Sequence, residues 1–119
     1  MTQTLVKQYA EIEAARFGDQ APGTSIRVLI SDTHEGAPVY NLRMIEIQPG
    51  GHSPDHNHPY EHENFVLEGN GEVMIDGKIY DIVPGTVILI PPGAQHQYKN
   101  SGDKPLKFLC GIPVEKLRG

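Results

Sequence analysis

The chain of 119 residues is about one domain long and can bury a core without disulfides, which its single cysteine in any case forbids within the chain. Ten basic against 15 acidic side chains leave a net charge of −5, which argues against nucleic acid as a partner, because phosphate binding needs a clustered basic surface. No apolar run approaches the ~20 residues of a transmembrane helix, the polar N-terminus lacks a signal-peptide core, and a lone Cys110 suits a reducing compartment, so the expectation is a soluble cytoplasmic domain.

Along the chain, the first 20 or so residues read ambiguously. Leu5, Tyr9, Ile12 and Ala15 have the spacing of a short amphipathic helix, and Tyr9–Glu13 reads equally well as an edge strand. Across the chain, 13 Gly and 10 Pro act as punctuation rather than pooling into a linker. Between them lie runs of strand length, rich in β-branched and aromatic residues. The spacing predicts strands over Ile26–Ile30, Val39–Gln48, Asn64–Glu68, Glu72–Ile75, Ile79–Val83, Thr86–Ile90 and Leu106–Cys110. Asp76-Gly77 between two apolar runs is a strong hairpin signal, and Asn70-Gly71 offers another turn. Short strands with frequent turns predict an all-β sandwich or barrel.

Three of the six histidines fall in the run His56-Asn57-His58-Pro59-Tyr60-Glu61-His62. In an extended strand, residues i and i+2 share a face, so His56 and His58 can aim at one point. His62 heads the next strand, and His96 follows Pro91-Pro92-Gly93. Neutral imidazole is the commonest ligand for Zn, Fe, Cu, Ni and Mn-class ions. His34, in a polar loop, and His52, beside Gly51 and Ser53, read as bystanders.

These residues resemble two motifs of the cupin family. In the first, a Gly is followed after five residues by His-x-His, as Gly50 is by His56 and His58. In the second, Gly85, Pro91, Gly93, His96 and Asn100 match at every spacing. The resemblance implies an all-β cupin (jelly-roll) β-barrel of two antiparallel sheets. Residues 1–119 would form a single domain, with a core at about 24–112 and residues 1–23 as a peripheral arm. The family's acidic ligand, counted back from the closing Gly69, falls on position 62, which is His62. The resemblance therefore implies four metal ligands, His56, His58, His62 and His96, with Glu63 as an alternative through a local bulge. It further implies one Mn or Fe ion per chain, with Zn, Ni or Cu as alternatives, and a homodimer.

Four neutral imidazoles leave the ion its full double charge, which favours anionic or enolate-like ligands. On an octahedral ion they also leave two positions open for Lewis-acid or oxygen chemistry; a closed tetrahedral zinc site is the other arrangement. Tyr98, at the parity of His96, is a candidate hydrogen-bond donor to substrate. Glu63 and Gln95 are candidate partners for the ligand imidazoles, and Asn64 and Val66 share the face of His62. Cys110 reads as core, Asn100 as a strand cap, and Arg43 as a solvated edge residue or a contact to an anionic substrate. The expected function is a metal-dependent, dioxygenase-like enzyme acting on a small oxygenated or anionic molecule. The alternatives are a non-catalytic binding or sensing barrel, or an isomerase, decarboxylase or lyase of the same family.

Overall fold

Leu106, Phe108, Cys110 and Ile112 alternate with Lys107, Leu109, Gly111 and Pro113, and the first set is at most 4% exposed. That period of two places one row of side chains inside a barrel and the other outside. The computed structural model describes residues 1–118. Among them run β1 (Ala15–Arg16), β2 (Thr24–Ile30), β3 (Tyr40–Ile47), β4 (His62–Glu68), β5 (Gly71–Ile75), β6 (Lys78–Ile82), β7 (Val87–Ile90), β8 (His96–Lys99) and β9 (Leu106–Pro113). A six-stranded sheet has the order β1-β2-β3-β9-β4-β7, a three-stranded sheet the order β6-β5-β8, and every pairing is antiparallel. The all-β jelly-roll expectation is met.

β9 lies at the middle of the larger sheet, paired to β3 from Tyr40↔Pro113 to Ile47↔Leu106 and to β4 from Glu63↔Gly111 to Glu68↔Lys107. Its inward row meets Ile45, Ile47, Val66, Val73 and Ile82 in one core. Phe108 is wholly buried and stacks on Tyr98, with ring centroids 4.2 Å apart. The Asp76-Gly77 hairpin forms as expected: both residues have positive φ, 48° and 82°, as a two-residue turn between β5 and β6 requires. Gly69 is needed for space as well, since a Cβ there would collide with the Pro105 carbonyl.

Two segments differ from the sequence reading. The N-terminal arm is neither an amphipathic helix nor a Tyr9–Glu13 strand. It makes a three-residue 3-10 turn at Tyr9–Glu11 and the two-residue β1. Long-range contacts hold it: Arg27 Nε donates to the Ile12 carbonyl at 2.9 Å, and the Arg27 guanidinium sits 5.4 Å from the Tyr9 ring centre. β8 was absent from the expected strands because its run is short and polar, and it forms by pairing with β5. No helix is long and apolar enough to cross a membrane.

Truncating a wholly buried aromatic removes its burial and leaves a cavity. Phe108→Ala should therefore lower the unfolding free energy by about 3–5 kcal/mol, measured by urea denaturation.

Candidate metal centre

The His56–His58 segment is not a regular strand. Pro54 and Pro59 lack backbone donors, so the segment runs beside β8 through isolated bridges instead of a continuous ladder. His56 and His96 exchange backbone hydrogen bonds of 3.2 and 2.9 Å. The Ser53 amide donates to the Tyr98 carbonyl at 2.9 Å, and the Tyr98 amide donates to Ser53 Oγ at 2.8 Å. The Gly93 amide donates to the His58 carbonyl at 2.6 Å, which ties the Pro91-Pro92-Gly93 turn to the histidine segment.

This clasp brings three imidazoles together. The ligand nitrogens of His56, His58 and His96 all lie within 4.8 Å of one another. His62, at the head of β4, falls outside that group but stands against it. Its ring centre is 5.0 Å from that of His58, nearly parallel, and 4.9 Å from that of His96. His62 Nδ1 meets Cys110 Sγ at 3.3 Å, while its Nε2 is buried without a hydrogen-bond partner. His96 Nδ1 meets the Ala94 carbonyl at 3.0 Å, which leaves Nε2 as the free ring nitrogen. His62 Nε2 is buried without a partner beside the three clustered rings, and His62 and His96 are each anchored at Nδ1, as a divalent ion requires of its ligands, so the residues present fit one. His34 is bound to Ser31 Oγ at 2.9 Å and His52 to the Ser53 carbonyl at 3.0 Å, both outside the site.

The expected imidazole partners are corrected. Strand alternation sends Glu63 to the outer face of the sheet, where it borders an apolar hollow with Phe65 and Tyr40. Gln95 is half-buried and hydrogen-bonds to no imidazole. It accepts from Asn57 Nδ2 at 2.9 Å and donates to Asp55 Oδ1 at 2.8 Å, bracing the residues on either side of His56. The partners found are Cys110 and the Ala94 carbonyl. Asn100 fulfils its structural expectation, donating to the Ile47 and Lys104 carbonyls at 2.8 and 2.7 Å.

The histidines line a cavity of about 480 Å³. Its wall includes Arg43, Ile45, Asn64, Tyr98, Phe108 and Cys110, together with Tyr60, whose ring stacks on His58 at 4.9 Å. Phe17 and Gln20 of the N-terminal arm also border it. The solvated-edge reading of Arg43 is overturned: its guanidinium points inward and donates to Cys110 Sγ at 2.9 Å. The signal was present in the sequence, because Arg43 has the parity of Ile45 and Ile47. Cys110 is wholly buried, but it is also a polar link between Arg43 and His62.

Burial keeps His56, His58 and His62 neutral. Desolvation first, then the neighbouring imidazoles and Arg43, lowers His56 to about 4. Desolvation followed by Arg43 lowers His62 to about 3, and burial lowers His58 as well. Burial holds the Tyr98 phenol above its ordinary value, so it remains a neutral donor.

The cupin domain family matches residues 43–112, and the chain belongs to it. Among curated proteins, it is 33% identical over 75 residues to 1-methylthio-D-xylulose 5-phosphate methylsulfurylase of Rhodospirillum rubrum, covering 63% of this chain and 48% of that protein. The chain thus spans about half the length of that relative. It is 32% identical over 104 residues to protein SchB of Streptomyces halstedii, covering 83% and 74% of the two chains. Among solved structures, the polyketide cyclase RemF from Streptomyces resistomycificus superposes with a TM-score of 0.86 at 30% identity, over 95% of this chain and 81% of that one.

The lowered histidines fix a pH dependence. Their folded values lie below the ordinary histidine value of 6.5, so the unfolded chain binds more protons between about pH 6.5 and 3. The stability they contribute is complete above about pH 6.5 and is lost as pH falls through that window. Urea unfolding of metal-free protein should therefore show stability falling from pH 7 to pH 4, with a shallower fall in His62→Leu.

Proposed function

We propose that the chain is a metal-dependent enzyme that holds one divalent ion through His56, His58, His62 and His96 and acts on a small oxygenated or anionic molecule. The observation that carries this reading is the buried, partnerless Nε2 of His62 beside the three-histidine group. A buried polar atom left without a partner is costly, and an ion at the shared focus would offset that cost. Manganese or iron is the ion proposed, with zinc, nickel or copper also accepted by imidazole donors. When bound, the ion supplies Lewis acidity and access to oxygen chemistry. The chain's residues position the substrate: Ile45 and Phe108 exclude water, and Tyr98 Oη, buried without a partner, donates to a substrate oxygen. A dioxygenase-like reaction on an enolate-type substrate suits this arrangement.

The likeness to RemF favours a second reading, in which the same site holds an enolate for ring closure without oxygen. An oxygen electrode separates the two. Wild-type protein loaded with iron or manganese should consume oxygen with diketone, catechol or keto-acid substrates. Turnover that persists under argon would favour the second reading. No turnover with any metal or substrate would leave a binding barrel. The ligand set is tested separately by elemental analysis. His62→Ala should lose metal and Glu63→Ala should keep it, and the reverse pattern would overturn the assignment.

We propose further that a second copy of the chain covers the outer face of the larger sheet. Val87, Leu89 and Phe65 are 74%, 59% and 43% exposed there, beside an apolar hollow of about 700 Å³. β7 ends the sheet order, and its sequence Val-Ile-Leu-Ile carries none of the charges or prolines that usually block edge pairing. A second copy that packs on this face and its β7 margin about a twofold axis meets the same surface on itself, so the contact is self-complementary. Light scattering should give twice the 13.1 kDa chain mass, and Leu89→Lys should return it to one. A monomeric wild type at micromolar concentration would contradict this.

A further inference from the structure

We propose that Arg43, with Asn64 and Tyr98, forms a carboxylate-binding subsite in the barrel, so that the substrate is a small carboxylate held at one end by Arg43 and at the other by the metal. This rests on the proposed metal-dependent reading for the metal end only. Three observations carry the Arg43 end.

The first is placement. Arg43 pairs with Cys110, and Cys110 pairs with Asn64, so the three form one inward row across β3, β9 and β4. His62 lies one inward position along β4 from Asn64. The row therefore runs directly beside the histidines. All of these side chains, with Tyr98, line the same cavity.

The second is charge. No aspartate or glutamate lines that cavity among the described residues. The ion pairs formed by the described residues join Arg27 and Lys107 to Glu46 and Glu68, and Arg43 takes part in none of them. A guanidinium drawn into a barrel without a counter-ion is costly, and its one side-chain partner here is a weak sulfur acceptor. An anionic ligand supplies the missing charge.

The third is hydrogen bonding. Among the described residues, the buried side-chain atoms without partners are Arg43 Nε, His62 Nε2, Asn64 Nδ2 and Oδ1, and Tyr98 Oη. Every one of them belongs to this cavity wall. Buried polar atoms are normally paired, and their concentration here marks a polar ligand site rather than a packing fault. Arg43 Nε, Asn64 Nδ2 and Tyr98 Oη are all donors, as a carboxylate needs, and guanidinium matches the carboxylate geometry. Asn64 Oδ1 is left to accept from a hydroxyl of the substrate.

Calorimetric titration of metal-loaded protein with pyruvate and with its neutral methyl ester tests this. Both carry the same keto oxygen, and they differ in the charge offered to Arg43. Wild type should prefer pyruvate. Arg43→Gln should weaken pyruvate about tenfold to a hundredfold while changing the ester less than twofold, and Arg43→Lys should fall between. Equal loss for both ligands, no loss for either, or a wild type that does not prefer pyruvate would overturn the subsite. A bound ion favours an anion by itself, so the preference is also measured on metal-free wild type, where Arg43 is the one Lys or Arg lining the cavity among the described residues; its absence there overturns the subsite even if Arg43→Gln fails to fold. Elemental analysis of the same samples isolates the other claim. If wild type takes up no metal, the metal-dependent reading fails, while the charge preference of the metal-free protein still tests Arg43.

Discussion

The reciprocal backbone bond between His56 and His96 is the constraint on which the site depends. It joins two stretches 40 residues apart in sequence and sets the His56 and His96 ring centres 4.8 Å from one another. Because the segment carrying His56 and His58 lacks a continuous ladder, the clasp relies on a few bonds: Ser53 to Tyr98, Gly93 to His58, and the Gln95 bridge to Asp55 and Asn57. An irregular segment fixed at its ends can turn two neighbouring imidazoles toward one focus. A regular ladder would space them by the strand rise. β9 then supplies the floor, and its Cys110 anchors the fourth imidazole from behind.

The chemistry of the cavity follows from what that arrangement buries. His56, His58 and His62 are kept neutral chiefly by desolvation and so remain competent donors. Arg43 adds a positive charge that no described carboxylate in the cavity wall answers. A divalent ion would make the interior more positive still. On the proposed reading, such a pocket of about 480 Å³ would favour small anions. The overall charge of −5 does not oppose this, because the field inside a barrel is set by the groups that line it.

Much of this was legible in the residues. Glycine and proline spacing marked the strands, Asp76-Gly77 marked a hairpin, and the spacing from Gly50 to Asn100 marked both histidine stretches. Parity puts Glu63 on the face opposite His62, which excludes it as a partner of the ligand imidazoles. Arg43 was legible by parity with Ile45 and Ile47, but a charged side chain in an apolar strand reads as an edge unless its strand is known to lie between two others. Cys110 reads as an apolar residue because its polar role needs Arg43 and His62, 67 and 48 residues away. The N-terminal arm was not legible, since contacts to Arg27 and Lys107 hold it rather than any local period.

The central claim is that four imidazoles share one ion inside this barrel. Anomalous diffraction from crystals of the metal-loaded protein, recorded at the absorption edge of the bound metal, tests it most directly. The account predicts a single peak about 2.0–2.2 Å from one ring nitrogen each of His56, His58, His62 and His96, with His62 bound through Nε2 and its Nδ1 still against Cys110. A peak held by three histidines with His62 turned away, a peak on Glu63, or no peak in the barrel would contradict it.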